Sequence, residues 1–320
     1  WLPGLIQEVT KRQSQEVTIQ PQGPFEPQRQ KVLCEQVMRL LGFDFEAGRL
    51  DVSTHPFCGG VPEDVRMTTR FTNHEFITSL FGTIHETGHG RYEQNRPREW
   101  LGQPASNARS MAIHESQSLF FEMQLGCHPG FLANLSPLII EAFGYQKAFE
   151  PQALAQLLTR VKPGLIRVDA DEVTYPAHIM LRYDIERQLI EGDIEAADIP
   201  SLWDAQMSSL LALDTRDNFK DGPLQDVHWP MGLFGYFPCY SMGAMYAAQW
   251  FASIEKAIPN VHTDIHNGNL QPIWEWLNDN IWEKASFWPT VELAQKASGS
   301  ELDLRFFKRH LYKRYLGETL

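Results

Sequence analysis

The five residues His85-Glu86-Thr87-Gly88-His89 constrain this 320-residue chain more than any other feature. They fall inside a helical pattern. Phe76, Leu80 and Ile84 recur at four-residue spacing, and the period runs on to about Gln94. Thr72 and Glu75 match a capping box at its start. Helical residues four apart share a face, so both imidazoles can reach one ion. Glu86 lies about 100° around the axis, where it can meet a water beside that ion. The chain must therefore fold so that this helix face meets a second element supplying the rest of the site.

H-E-x-x-H on a helix is the arrangement of zinc peptidases. A catalytic ion of that kind takes three protein ligands and keeps one position open. The next helical pattern, expected over 107–125 and stopped by Gly126, offers His114-Glu115-Ser116-Gln117. Glu115 would complete a His₂Glu set, with His114 and Glu122 as open alternatives. Tyr92 and Glu93 are assigned to packing and solvation. His74, His128, His262, His266 and His310 are read as structural or solvent-facing.

Elsewhere the pattern is mainly helical, with helices expected at 29–41, 151–160, 176–191, 199–213, 240–257, 274–284 and 302–315. Residues 50–57 and 65–71 are short and extended, and Gly59, Gly60 and Pro62 between them suggest a small hairpin. No repeat or linker interrupts the chain. The expectation is one mainly α domain over 1–320, with a small β-hairpin or sheet near the metal-binding helix.

The net charge of −12 argues against a nucleic-acid partner, whose phosphates are held by Lys and Arg. Asp169 to Asp226 carries 14 acidic and 4 basic residues, read as a solvated face or as a field for cationic substrates. The four cysteines form no CxxC pair, which favours reduced thiols and a cytoplasmic location. Residues 229–254 carry no charge, but Pro230, Pro238, Gln249 and three glycines favour a buried segment over a membrane span. The chain opens on Trp1 rather than Met, so a longer parent protein is expected.

Several segments together are more specific than H-E-x-x-H. They are His55-Pro56-Phe57, Asp64-Val65-Arg66-Met67-Thr68, HETGH at 85–89, HESQS at 114–118, Ile166-Arg167 with Asp171-Glu172-Val173-Thr174-Tyr175-Pro176, His178 with Arg182-Tyr183, and Gln225-Asp226-Val227-His228-Trp229. With these the chain resembles the carboxypeptidase Taq family of thermostable zinc metallocarboxypeptidases from about Leu5 onward. The resemblance implies His85, His89 and Glu115 as ligands of zinc, or of cobalt, and Glu86 as general base. It implies cleft roles for Arg66, Arg167, Tyr175, His178, Arg182, His228 and Tyr236. It also implies a homodimer, peptide substrates with a free C-terminus, and a helical region before the matching segment that this chain does not carry.

Removal of one C-terminal residue requires a cation for the free carboxylate, and the planar guanidinium fork suits it. Arg167 is the first choice, then Arg182. Arg66, oriented by Asp64, is placed nearer the oxyanion with His228 and Tyr236. His55 is read either as a partner in the site or as packing beside Pro56. The alternatives are an endopeptidase or aminopeptidase on the same motif, and a non-catalytic binding or structural subunit.

Overall fold

The computed structural model describes residues 1–54 and 56–319. His55 lies outside the described residues. In chain order the elements are α1 (Leu2–Gln13), α2 (Pro27–Leu40), β1 (Gly48–Val52), β2 (Phe57–Val61), β3 (Asp64–Thr69), α3 (Ile77–Gln94), α4 (Met111–Leu119), α5 (Pro129–Phe143), α6 (Pro151–Leu158), α7 (Tyr175–Glu191), α8 (Ile199–Leu211), α9 (Pro238–Ala257), α10 (Val261–His266), α11 (Gln271–Leu277), α12 (Thr290–Ser298) and α13 (Leu304–Leu316). The expected mainly α class with a small sheet is what the chain forms. None of these helices is long and apolar enough to cross a membrane.

The chain divides into two compact units. One comprises Trp1–Val17, Thr159–Met242 and the chain from Lys308 onward. The other comprises Thr18–Leu158 and Gly243–Phe307.

In the second unit a hairpin forms, but between β2 and β3, turning at Pro62-Glu63, rather than between 50–57 and 65–71 as expected. The two strands pair antiparallel, with Phe57 opposite Thr68. Gly59 and Gly60 lie within β2 rather than in the turn, and β1 adds to β3 in parallel, with Gly48 opposite Val65. Leu50, Val65 and Met67 bury one face of this sheet. α3 approaches it closely because Gly90 has no side chain: a Cβ there would sit 2.9 Å from the Phe43 ring and 3.1 Å from the Met67 sulfur.

In the first unit, α1 buries Leu2, Leu5, Ile6 and Val9, and α8 buries Trp203, Met207 and Leu211. The acidic run is of two kinds. Asp193, Glu195 and Asp198 are exposed, as a solvated face requires. Glu172 and Glu186 are buried and fully engaged. Glu186 accepts from Trp229 Nε1 at 2.8 Å and from the Gly235 N–H at 2.5 Å. Glu172 accepts from His310 Nε2 at 2.7 Å, Arg314 Nη1 at 3.0 Å and Tyr315 Oη at 2.9 Å, which fastens α13 to the segment leading into α7. The uncharged 229–254 stretch is only partly buried, contrary to expectation. Gly232 and Gly235 turn through positive φ, and the loop leaves Met231, Leu233 and Phe234 exposed, while α9 supplies the buried part.

Burial works against the Glu172 carboxylate, but His310, Arg314 and Tyr315 outweigh it and hold the group down at about 2, against an ordinary value of 4.5. The stability this contributes is present above about pH 4.5 and is lost as pH falls toward 2, on the order of 3 kcal/mol in all. Glu172→Gln removes the titrating group. It should lower the melting temperature at neutral pH and flatten its decline between pH 4.5 and 2, as read by circular dichroism melts.

Candidate metal centre

The start of α3 is not the capping box expected. Thr72 Oγ1 donates to the Glu75 carbonyl at 3.3 Å, and the Glu75 carboxylate itself accepts the Thr78 N–H at 2.9 Å. The helix thus begins at Ile77, and its phase buries Leu80, Ile84 and Gly88. His85 and His89 follow on the adjoining edge, with 22 % and 15 % of their side chains exposed.

The second helix is shorter than its pattern. Tyr92, fully buried, accepts the Arg109 N–H at 2.9 Å through its hydroxyl, so the chain before Ser110 is held out of the helix. Ser110 then caps α4, accepting the Ile113 N–H at 3.3 Å. From Phe120 to Gly126 the helix widens into a π-helical stretch. Two indoles anchor α4: Trp250 Nε1 donates to Ser116 Oγ at 3.0 Å, and Trp282 Nε1 donates to Gln117 Oε1 at 2.8 Å. That rotation sends Glu115 toward α3.

Two glycines permit the approach. A Cβ on Gly88 would lie 2.7 Å from Ser118 Cα and would overlap the Gln117 carbonyl. A Cβ on Gly243 would lie 2.7 Å from Glu115 Cγ. Glu115 thereby meets both imidazoles, at 3.9 Å from His85 Nε2 and 3.4 Å from His89 Nε2. One ligand atom from each of the three lies within 4.8 Å of the others, so together they could hold a metal ion. Two nitrogens and one carboxylate oxygen form a donor set suited to zinc.

The electrostatics follow from burial and crowding. Burial pushes the Glu86 carboxyl up to about 7, aided by Glu115 and Glu122 and opposed by His85 and His114. His89 is pushed down to about 4 by burial and the neighbouring histidines, against the pull of Glu115. His85 goes the other way, to about 10, because Glu122, Glu115 and Glu86 outweigh its burial.

Neither of the alternative ligands His114 and Glu122 joins the set. Both bond to the histidines from behind, His114 Nδ1 to His89 Nδ1 at 2.6 Å and Glu122 Oε2 to His85 Nδ1 at 2.7 Å. Glu93 is not a solvating carboxylate, since it pairs with His114 Nε2 at 2.8 Å. Its spacing of four from His89 was the signal for that.

The other named residues form a second cluster, in the first unit. Asp226 accepts from Arg167 Nε at 3.0 Å and Nη2 at 2.7 Å, and from Arg182 Nε at 2.6 Å. Tyr175 Oη accepts from Arg167 Nη1 at 2.5 Å. His228 Nε2 lies 3.0 Å from Tyr240 Oη, and its ring is 5.6 Å from that of Tyr236. Arg182 Nη2, His228 Nδ1 and both His178 nitrogens are buried without an aligned hydrogen-bond partner, the Gly164 carbonyl interacting with His178 out of alignment. Burial and the two arginines push His178 down to about 3. Asp226 and Tyr240 were not singled out from the sequence. Arg66 lies in the other unit, on β3, exposed and held bidentately by Asp64.

The model of the carboxypeptidase Taq (M32) metallopeptidase family matches residues 2–315. Carboxypeptidase 1 of Bacillus subtilis is 37% identical over 97% of this chain and 62% of its own length. Thermostable carboxypeptidase 1 of Thermus thermophilus is 37% identical over 91% of this chain and 57% of its own. Among solved structures, Trypanosoma cruzi metallocarboxypeptidase 1 superposes with a TM-score of 0.97 at 48% identity, over 99% of this chain and 66% of that one. The family match over residues 2–315, on a mainly α fold whose helix pair could hold a metal, leaves one assignment: the chain belongs to the carboxypeptidase Taq (M32) metallopeptidase family. It spans about three-fifths of the length of the curated relatives it matches.

Gly88→Ala should lower stability by about 1–3 kcal/mol, as overpacking does, and weaken metal uptake, because α4 and Glu115 must retreat. Gly82→Ala on the same helix meets nothing within 4 Å and should be neutral or stabilising. Melting curves and zinc titrations of the two variants check this.

Proposed function

We propose that this protein is a metallocarboxypeptidase that hydrolyses the C-terminal peptide bond of peptides and releases single amino acids. The observation that carries it is the convergence of His85, His89 and Glu115 with Glu86 beside them. Membership of the family supports it. His85, His89 and Glu115 are the metal ligands in this reading. Zinc is the metal on the strength of the His₂Glu donor set, with cobalt an effective substitute. The bound ion supplies acidity to a neighbouring water and polarises the scissile carbonyl.

Glu86 accepts the proton of the attacking water as its oxygen bonds to the carbonyl carbon. It returns that proton to the amide nitrogen as the C–N bond breaks. His228 and Tyr236 donate to the oxyanion, and Arg66 serves the same developing charge. Arg167 and Arg182 receive the substrate carboxylate, flanked by Tyr175 and His178. Two guanidinium groups share the single Asp226 carboxylate, which leaves one positive charge over and donor capacity on Arg182. That surplus supports an anion site in a protein of net charge −12. In this reading residues 1–320 act as one catalytic domain. It is completed by a homodimer, as the resemblance implies. A cytoplasmic setting suits four cysteines that form no CxxC pair.

A peptide and its C-terminally amidated form, assayed side by side with zinc-loaded protein, test the proposal. Only the free acid should be cleaved. Equal cleavage of both would make the protein an endopeptidase or aminopeptidase, and no turnover by zinc-loaded protein would make it a binding subunit. Glu86→Gln should keep its zinc and lose about 10²–10⁴-fold in kcat. Arg167→Ala should raise KM for free-acid peptides about 10–100-fold, the worth of a lost charge-assisted hydrogen bond.

A further inference from the structure

His85 and His89 each turn Nε2 toward Glu115 and use Nδ1 for a second contact. A neutral imidazole carries one N–H. If it is to bind a metal through Nε2, that hydrogen must sit on Nδ1, and an acceptor there holds it. His85 Nδ1 lies 2.7 Å from Glu122 Oε2, and a carboxylate only accepts. His89 Nδ1 lies 2.6 Å from the Nδ1 of another imidazole, His114. His114 can accept there only if its own hydrogen is on Nε2, and that atom faces Glu93 Oε1 at 2.8 Å. The donation then has one direction, from His89 to His114 to Glu93. The second oxygen of Glu93 forms an ion pair with Arg96 Nε at 2.8 Å, and the ring of Tyr92 flanks His114 at 5.4 Å between centroids.

We propose that Glu122 and the His114–Glu93 pair are positioning residues for the metal. One acts directly and the other through an imidazole. They hold His85 and His89 in the Nδ1–H tautomer, with both Nε2 atoms aimed at the space beside the Glu115 carboxylate. This rests on the assignment of the three ligands above. The two arms differ in what they tolerate. The Glu122 arm needs only an oxygen acceptor, so a glutamine can replace it by presenting its amide oxygen. The His114 arm needs an aromatic-sized residue that accepts on one side and donates on the other. Phenylalanine fills that space and does neither.

The test is the zinc affinity of the full chain, measured by competition with a chromophoric chelator, together with the melting temperature of the metal-free protein. Glu122→Ala and His114→Phe should each weaken zinc binding about 10–100-fold, while Glu122→Gln stays within a few-fold of the unaltered protein. Melting of the metal-free Glu122→Gln and His114→Phe proteins should stay near that of the unaltered one, which separates positioning from folding. Unchanged affinity in both Glu122→Ala and His114→Phe overturns the proposal while leaving the ligand assignment intact. So does equal weakening by Glu122→Gln and Glu122→Ala, since the acceptor would then not be what matters. An unaltered protein that takes up no zinc overturns the ligand assignment and the positioning roles with it.

Discussion

The centre depends on how closely α4 can come to α3. His85 and His89 are provided by one helix and need only its period. Glu115 comes from another helix, and its reach is short. A carboxylate two carbons from Cα can meet both imidazoles only if the backbones nearly touch, which they do at Gly88. Gly243 then makes the same allowance on the far side of Glu115. The two glycines therefore act as geometric components of the candidate metal centre although they contribute no ligand atom.

Close approach carries a cost that the surroundings offset. Four carboxylates and three imidazoles crowd into one region, partly out of water. Left unpaired, such groups would titrate away from their useful states. Each instead has an assigned neighbour: Glu122 behind His85, His114 behind His89, and Glu93 between His114 and Arg96. Glu86 is the exception. It has only its charged neighbours and burial, so its affinity for a proton rises. That position suits the proton exchange proposed for Glu86, whereas a ligand would be weakened by it.

The same features explain what could be read from the chain and what could not. H-E-x-x-H and the four-residue period need nothing beyond α3, so the first half of the centre was legible. Glu115 was the favoured choice among three because a His₂Glu set is a chemical preference, and it is the one that converges with the two histidines. Placing His114 and Glu122 behind the histidines required the rotation of α4, which is fixed by the indoles of Trp250 and Trp282 more than a hundred positions away. No local pattern carries that information. The false capping box has a related cause. Thr72 and Glu75 have the right spacing, but the Thr72 carbonyl is already taken by Gln30 Nε2 at 2.5 Å, and the chain enters the helix one turn later.

The acidic run shows why charge counts alone misled. Counted as a block, residues 169–226 describe a solvated face, and its exposed members behave as one. The members that matter are those removed from water. Glu172 gathers three donors, Glu186 holds the loop that ends in Gly235, and Asp226 binds two arginines. A buried carboxylate that holds a cation costs less than either charge alone. Using one where two arginines meet leaves a positive remainder, so the local charge is opposite in sign to that of the run containing it. One carboxylate of the run, Asp226, is thus the means by which this unit keeps two guanidinium groups buried, ordered and only half neutralised.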